Sequence, residues 1–393
     1  MRSSPEGNIN VGWLDYSELY IYTALMKIVI AINTSWNIYN FRLGLIKALQ
    51  VQGYHVLAVA PNDEYVTLLE SEGVECVPID INSKGTSIKE DLGLIRSYYK
   101  LYKDIKPNLI LSYTIKPNIY GNYAAKALGI PVINNVSGLG TLFIKKNLST
   151  FIAYGLYKTA FLKSDWVFFQ NTEDQNLFHT KKLINIKKTS IIPGSGVNTE
   201  TFKVVRFNNH AKCILFVGRL IGDKGIREFI DAAKLLLNEF PDLKFKIVGE
   251  LGYNNKTAVS EEELEEWLKI SQIEYIGKVD NMKLVYEQSD IMVLPSYREG
   301  LSKSLIEACA MSLPIVTTNV PGCKDVVSDG FNGYLCKPKD AVDLADKIAL
   351  LLNASEEKRL EIGRNARRIA VDKFDEKLVI ASYLEKIKSL INN

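Results

Sequence analysis

Residues 291–308 read IMVLPSYREGLSKSLIEA. The unbroken apolar run IMVL ends at Pro295, which is how a strand covered on both faces looks in a parallel sheet. Glu299 and Gly300 then fall in the loop at its carboxyl end. Leu301, Ser302 and Lys303 open an amphipathic stretch, and Glu307 lies nearly two turns into it. For Glu299 alone, an acid beside a helix N-terminus needs no more than capping to explain it. The fold turns on whether the rest of the chain repeats this strand, loop and helix.

It does. Upstream, apolar runs at 27–32, 55–60, 76–79, 109–113, 131–134, 166–171 and 189–193 alternate with helical patterns near 40–52, 63–72, 86–104 and 118–128. The rhythm breaks at PGSGVNTETF (193–202) and restarts with runs at 213–218, 244–249, 273–277, 291–295 and 314–318. Three amphipathic stretches, 340–353, 355–373 and 375–391, finish the chain. Such alternation predicts an α/β protein of two doubly wound, Rossmann-like domains with a cleft between them. The expected division is an N-terminal extension (1–25), a first domain (26–202), a second domain (203–374), and a last helix (375–393) packing back towards the first domain. In open α/β sheets ligands sit at the carboxyl ends of the strands, so both domains present loops to the cleft.

Composition narrows the class. A chain of 393 residues, 47% hydrophobic and 24% charged, is ordinary for a soluble two-domain protein. Five scattered Cys without a CxxC, and three separated His, favour reduced thiols of a cytoplasmic protein and no zinc centre. The first 25 residues lack a basic start followed by an apolar core, so they do not read as a secretory signal, and the apolar stretch 19–32 is too short to span a bilayer. The net charge of +3 is uneven: residues 26–200 hold 19 Lys/Arg against 13 Asp/Glu. Between Lys145 and Lys188, eight Lys face three acids. No Arg/Gly or aromatic RNA-binding motif accompanies them, so the expected partners are a diphosphate-bearing substrate or an anionic membrane surface, not nucleic acid.

The segment FVGRLIGDKG (216–225) places Gly218, Arg219 and Lys224 on a strand–loop–helix step of its own. Two cations beside a helix N-terminus suit a diphosphate. Neither GxxxxGK[ST] nor GxGxxG occurs, which removes the main support for nucleoside-triphosphate or dinucleotide binding. A carboxylate placed as Glu307 is can accept two hydrogen bonds from the hydroxyls of a ribose diol. Glu299, nearer the helix mouth, can accept from sugar hydroxyls.

Together these motifs resemble the retaining glycosyltransferases of the GT-B fold, family 4, over nearly everything from Met26 onward. The most specific parts are the E-x7-E pair Glu299/Glu307, the VGRL…DKG loop, and PGSGVNTETF, which is similar to the family's I-P-N-G-V-D-x-x-x-F linker. The resemblance implies that Arg219 and Lys224 bind the donor's diphosphate, Glu307 holds the ribose and Glu299 contacts the transferred sugar. It adds Gly218, Gly300, Leu301 and Ser302 to the donor site, and Gly277, Lys278 and Val279 as a segment whose backbone reads the base. The catalytic set is then Glu299, Arg219 and Lys224, donor-binding groups and not a hydrolase acid/base pair. No cofactor is implied beyond the UDP-sugar co-substrate, and no essential metal.

In the first half, the loop 33–42 lacks the family's frequent double Gly, leaving Asn37 as a candidate. SYTIKPNIYGN (112–122) lacks the His that many relatives carry near the transferred sugar; Lys116 and Asn118 are the polar residues left. NNVSGLGTLF, with Gly138 and Gly140, resembles a segment of enzymes that glycosylate undecaprenyl-diphosphate-linked sugars. The basic, aromatic-rich stretch 143–166, with Lys145, Lys146, Lys158 and Lys163, reads either as a core-packing helix with solvated lysines or as a helix that lies on an anionic lipid surface. The expectation is therefore a transferase at the inner face of the cell membrane. It moves a sugar, an N-acetylhexosamine, from a UDP-sugar to a lipid-diphosphate-linked saccharide. The rivals are a UDP-sugar 2-epimerase of the same architecture and a non-catalytic sugar-nucleotide-binding protein.

Overall fold

The computed structural model describes residues 26–82, 87–139, 148–162, 164–204, 212–252 and 255–391. The N-terminal extension, Gly140, Lys145, Lys146 and Lys163 lie outside the described residues.

Seven strands form the first sheet: β1 (Lys27–Ala31), β2 (His55–Ala60), β3 (Glu75–Pro78), β4 (Leu109–Tyr113), β5 (Val132–Val136), β6 (Trp166–Phe169) and β7 (Thr189–Ile191). Their order is β3-β2-β1-β4-β5-β6-β7, every pair parallel. Alternate side chains of β1 serve opposite faces. Ile28, Ile30 and Ile32 join the core under α1 (Ser35–Val51), while Val29 and Ala31 join the core under α3 (Ile88–Ile105). Helices on both faces are why the strand reads as an unbroken apolar run. The short α2 (Tyr65–Ser71) precedes β3. A π-helical turn (Pro117–Gly121), α4 (Asn122–Ala127), α5 (Leu148–Phe161) and α6 (Thr172–Thr180) complete the domain.

The second sheet holds β8 (Cys213–Val217), β9 (Lys244–Val248), β10 (Ile273–Gly277), β11 (Ile291–Leu294), β12 (Ile315–Thr318) and β13 (Gly333–Cys336) in the order β10-β9-β8-β11-β12-β13, again all parallel. Its helices are α7 (Ile226–Leu237), α8 (Glu261–Leu268), α9 (Met282–Glu287), α10 (Lys303–Ala310), α11 (Ala341–Leu352) and α12 (Glu356–Phe374). Strand β13 was not anticipated: it is four residues long and begins with glycine.

The chain crosses between domains twice, and the crossings are bonded to each other. Val197 N donates to Phe374 O at 2.8 Å, and Glu376 N donates to Val197 O at 3.0 Å. Arg367 fastens this junction to the second domain by donating to the carbonyls of Phe202, Ala310 and Thr199 at 2.6–2.8 Å. Beyond it, α13 (Glu376–Ile391) buries Val379, Tyr383 and Ile387 in the core of the first domain. Tyr383 also accepts a bond from Asn135 Nδ2 at 3.0 Å. The last helix thus belongs by packing to the domain that the first residues built.

Candidate active site

In each sheet the strand order reverses at one place, between β1 and β4 and between β8 and β11. Loops leaving neighbouring strands on the two sides of such a point diverge and leave a crevice. The loops after β8 and β11 carry the motifs singled out above, and they are bonded to each other. Tyr297 N and Ser296 Oγ donate to Asp223 O at 2.9 and 3.2 Å. Gly225 sits at φ +73°, and a Cβ there would lie 2.1 Å from Pro295 O, so this contact admits only glycine.

Lys224 Nζ and Glu299 Oε1 form an ion pair across the crevice, both side chains largely covered. Arg219 stands on the exposed side of the same loop. Two helices point their N-termini here, α7 and α10, and neither has a side chain capping its first turn. Helices α2 and α9 lack one too, whereas Thr34, Ser87, Asn171, Ser260, Asp340 and Ser355 each accept a cap bond at the start of their own helices. Ser302 is correctly placed to cap α10, but its hydroxyl bonds the Ser304 hydroxyl at 3.2 Å instead. First-turn amides left without a capping side chain suit a bound anion.

Glu307 is buried on α10. Tyr286 of α9 donates to its Oε2 at 3.0 Å, and Lys303 Nζ stands 3.8 Å from its Oε1. Burial pushes the Glu307 carboxyl above the usual range, against the pull of Lys303 and of the Tyr286 hydroxyl. Burial likewise pushes the Lys303 ammonium down. Lys303 also donates to Gly196 O at 2.7 Å, so the same side chain touches the interdomain linker. Neither Lys303 nor Tyr286 was singled out from the sequence. The i,i+4 spacing of Lys303 and Glu307 was a readable signal; for Tyr286 there was none.

The first domain closes over the Glu299 loop. Arg298 is ion-paired with Asp174, a fully buried acid in the first turn of α6, and Lys324 pairs with Glu173 at 2.6 Å. Asn171 Nδ2 donates to Gly300 O at 2.8 Å. Gly138 (φ +107°) is backed against Gly300, where a Cβ on it would lie 2.8 Å from the Gly300 Cα and nitrogen. Leu301 packs against Gly194 of the linker and against the second domain's core.

The other predicted positions divide. Gly277 ends β10 and accepts from Gly249 N at 3.0 Å, while Val279 packs on the second domain's core. Gly218, just past β8, donates to Val248 O at 2.9 Å. Lys278 reaches across to Glu64 of the first domain at 2.8 Å. Asn37, in the first turn of α1, holds a buried carboxamide oxygen with no partner among the described residues. Lys116 and Asn118 bond within the first domain. Lys116 pairs with Asp91 at 2.7 Å, both side chains largely covered. Asn118 is buried, donating to Asn135 O at 2.8 Å and accepting from Asn134 Nδ2 at 3.0 Å. Both side chains are spent on holding α3 and β5 in place. Cys309, Cys323 and Cys336 are buried thiols pushed up to about 12, which removes them as nucleophiles. Among the described residues, no three His, Cys, Asp or Glu converge as metal ligands.

Residues 197–369 match the family model described as "Glycosyl transferases group 1", and residues 27–171 match "Glycosyl transferase 4-like". The chain is 29% identical, over 94% of its length and all of the relative's, to the N,N'-diacetylbacillosaminyl-diphospho-undecaprenol alpha-1,3-N-acetylgalactosaminyltransferase of Campylobacter jejuni. It is 27% identical to the UDP-Gal:alpha-D-GlcNAc-diphosphoundecaprenol alpha-1,3-galactosyltransferase of Escherichia coli, over 78% of this chain and 81% of the relative. In fold it is similar to Anabaena Alr3699/HepE, solved in complex with UDP and glucose. The TM-score is 0.76 at 18% identity, covering 93% of this chain and all of that one.

Proposed function

Since the chain is a GT-B glycosyltransferase of family 4, we propose that it moves an N-acetylhexosamine, with retention of configuration, from a UDP-sugar to a lipid-diphosphate-linked saccharide. The observation that carries this reading is the meeting, at the β8/β11 switch point, of Lys224, Glu299 and two uncapped helix N-termini beside buried Glu307. The full-length similarity to a transferase named for an undecaprenol-linked acceptor supports the acceptor class.

In this reading the donor's diphosphate lies against Lys224, Arg219 and the first-turn amides of α10. One of the three Lys224 N–H bonds is held by Glu299, leaving two for phosphate oxygens. The base lies along Gly277–Val279, and the ribose diol donates to Glu307. The leaving diphosphate departs as the acceptor hydroxyl attacks from the same face, and the departing phosphate oxygen takes the hydroxyl proton. Negative charge grows on that phosphate, where the fixed cations and amides stabilise it, so neither a side-chain base nor a metal is required. Glu299, held in place by Lys224, orients the transferred sugar.

The protein acts at the cytoplasmic face of the membrane that carries its acceptor. No helix among the described residues is long and apolar enough to cross a membrane, so the association is peripheral in this reading. A donor screen with a synthetic polyprenyl-diphosphate sugar, followed by mass spectrometry and assignment of the anomeric configuration, tests it. Transfer from a UDP-N-acetylhexosamine with an α-linked product is expected. Inversion at C2 of the donor, with no transfer to any acceptor, would identify an epimerase instead.

A further inference from the structure

Helix α3 buries Leu94, Tyr98 and Tyr102 and turns a different stripe outward. That stripe holds Lys89, Leu92, Arg96, Lys100 and Lys103, all exposed. Spacings of three and four residues put them on one face. The helix's own acids are mostly drawn away from it. Asp91 accepts from Lys116 Nζ and Tyr120 OH at 2.7 and 2.6 Å, and Glu90 accepts from Asn82 at 2.9 Å. Only Asp104 flanks the stripe at its far end. Among the described residues Arg96, Lys100 and Lys103 have no ion-pair partner. With Gly93, Ser97 and Tyr99 they line a shallow groove of about 440 Å³.

The apolar part of the stripe lies at one particular end. Helix α3 enters from the carboxyl end of β3, and its Asp91 is bonded to residues just past β4, so Ile88 and Leu92 lie at the cleft end of the domain. Helix α5 leads from the carboxyl end of β5, which puts Phe151 and Ile152 at the same end. These side chains are strongly exposed: Ile88 78%, Leu92 63%, Phe151 76% and Ile152 55%. Exposed aliphatic and aromatic side chains at one end of a domain whose helix also carries a row of unpaired cations match the two layers of an anionic bilayer surface, apolar interior and charged headgroups.

We propose that the first domain docks on an anionic lipid bilayer through helix α3. Arg96, Lys100 and Lys103 engage the headgroups, and Ile88, Leu92 and Phe151 seat in the interface at the cleft mouth. The proposal rests on the reading that the acceptor is lipid-linked, since this placement lets the saccharide enter the cleft while its lipid stays in the bilayer. It places the cationic contact on helix α3 and keeps only Phe151 from the stretch 143–166.

The test uses the full chain and sedimentation with phosphatidylglycerol–phosphatidylcholine vesicles or with phosphatidylcholine alone. The parent protein should pellet with the anionic vesicles only. Replacing Arg96, Lys100 and Lys103 together by Gln should weaken that binding on the order of a hundredfold and flatten its salt dependence. Leu92→Ser with Phe151→Ser should weaken it while leaving the salt dependence intact. Both variants should keep parental turnover on a short water-soluble acceptor and lose it on a bilayer-embedded one. Undiminished vesicle binding by the triple variant would overturn the proposal and leave the helix to an acidic protein partner. So would lost turnover on the soluble acceptor, which would put the helix inside the acceptor site. A parent protein that binds vesicles as described but transfers no sugar to either acceptor would refute the enzymatic reading and leave the docking surface standing.

Discussion

Tyr286→Phe removes one oxygen from the candidate donor site and nothing else. The phenylalanine keeps the buried ring, so the change removes only the hydroxyl's bonds, the 3.0 Å one to Glu307 Oε2 and a longer one to Ser304 O at 3.3 Å that carries no charge. A hydrogen bond to a charged group is worth roughly 1.5–3 kcal/mol, and burial of both partners shields it from solvent screening. Glu307 is then left with Lys303 at 3.8 Å as its main counterweight to burial. The carboxyl, already raised above the usual 4.5, rises further. Only the ionised form accepts both hydrogen bonds from a ribose diol, so UDP affinity should fall as pH drops towards the raised pKa. In Tyr286→Phe that fall should begin at a higher pH than in the parent. Titration calorimetry with UDP across a pH series, on both proteins, reads this directly. About a tenfold loss is expected where the two titrations are separated, and near-equal affinities well above both. A ratio of affinities that stays near one at every pH would refute the argument, because Glu307 would then not be the ribose acceptor.

Lys224→Ala or Arg219→Ala should each lower turnover about 10²–10³-fold with the fold intact by circular dichroism, since one preorganised cation against growing diphosphate charge is worth roughly 2–4 kcal/mol. Glu299→Ala should harm transfer more than UDP affinity; calorimetry showing an equal loss of both would contradict its assignment to the transferred sugar. Asp174→Asn leaves Arg298 facing a neutral amide in a largely dry interface, which should cost about 3 kcal/mol in urea unfolding. Adding Arg298→Met should return part of that loss, and strict additivity of the two changes would rule out the pair as a latch.

The architecture was legible because both sheets are parallel and covered on both faces. KIVIA, HVLAVA and IMVL are continuous apolar runs for that reason, and each breaks into a loop at its carboxyl end. Strand β13 escaped because GYLC is short and only partly buried, with its glycine lying so close to β12 that a Cβ would meet Ile315 O at 2.0 Å. A close backbone approach leaves no apolar signature to read. At the candidate site, Lys224 and Glu299 stood out because each precedes a glycine in the loop after a strand, and Glu307 because it follows Glu299 by eight residues on the next helix. For Lys116 and Asn118 the sequence is ambiguous, because a polar residue after a strand looks the same whether it faces a cleft or ties down a neighbouring helix. Only Asp91 and Asn134, distant in sequence from one another, distinguish the two cases.

What the sequence could not express is that the Glu299 loop is held by two domains at once. Its position is set within the second domain by Glu299 N donating to Pro321 O at 3.0 Å and by Gly225 under Pro295. It is set from the first domain by Asn171, Asp174 and the backbone of Gly138. Gly300 is glycine for a reason that local rules do not supply: a Cβ there would lie 2.2 Å from Ser137 O, across the interface. In the proposed reaction, a donor on the second domain therefore meets a Glu299 loop that the first domain also braces. With the acceptor held by the first domain, as the proposed division of the cleft has it, the loop that positions the transferred sugar is then braced by the acceptor's own domain. This bracing separates two kinds of damage. Variants of Lys224 or Glu307 act on the donor, whereas variants of Asp174 or Asn171 should leave UDP affinity intact and lower the transfer rate.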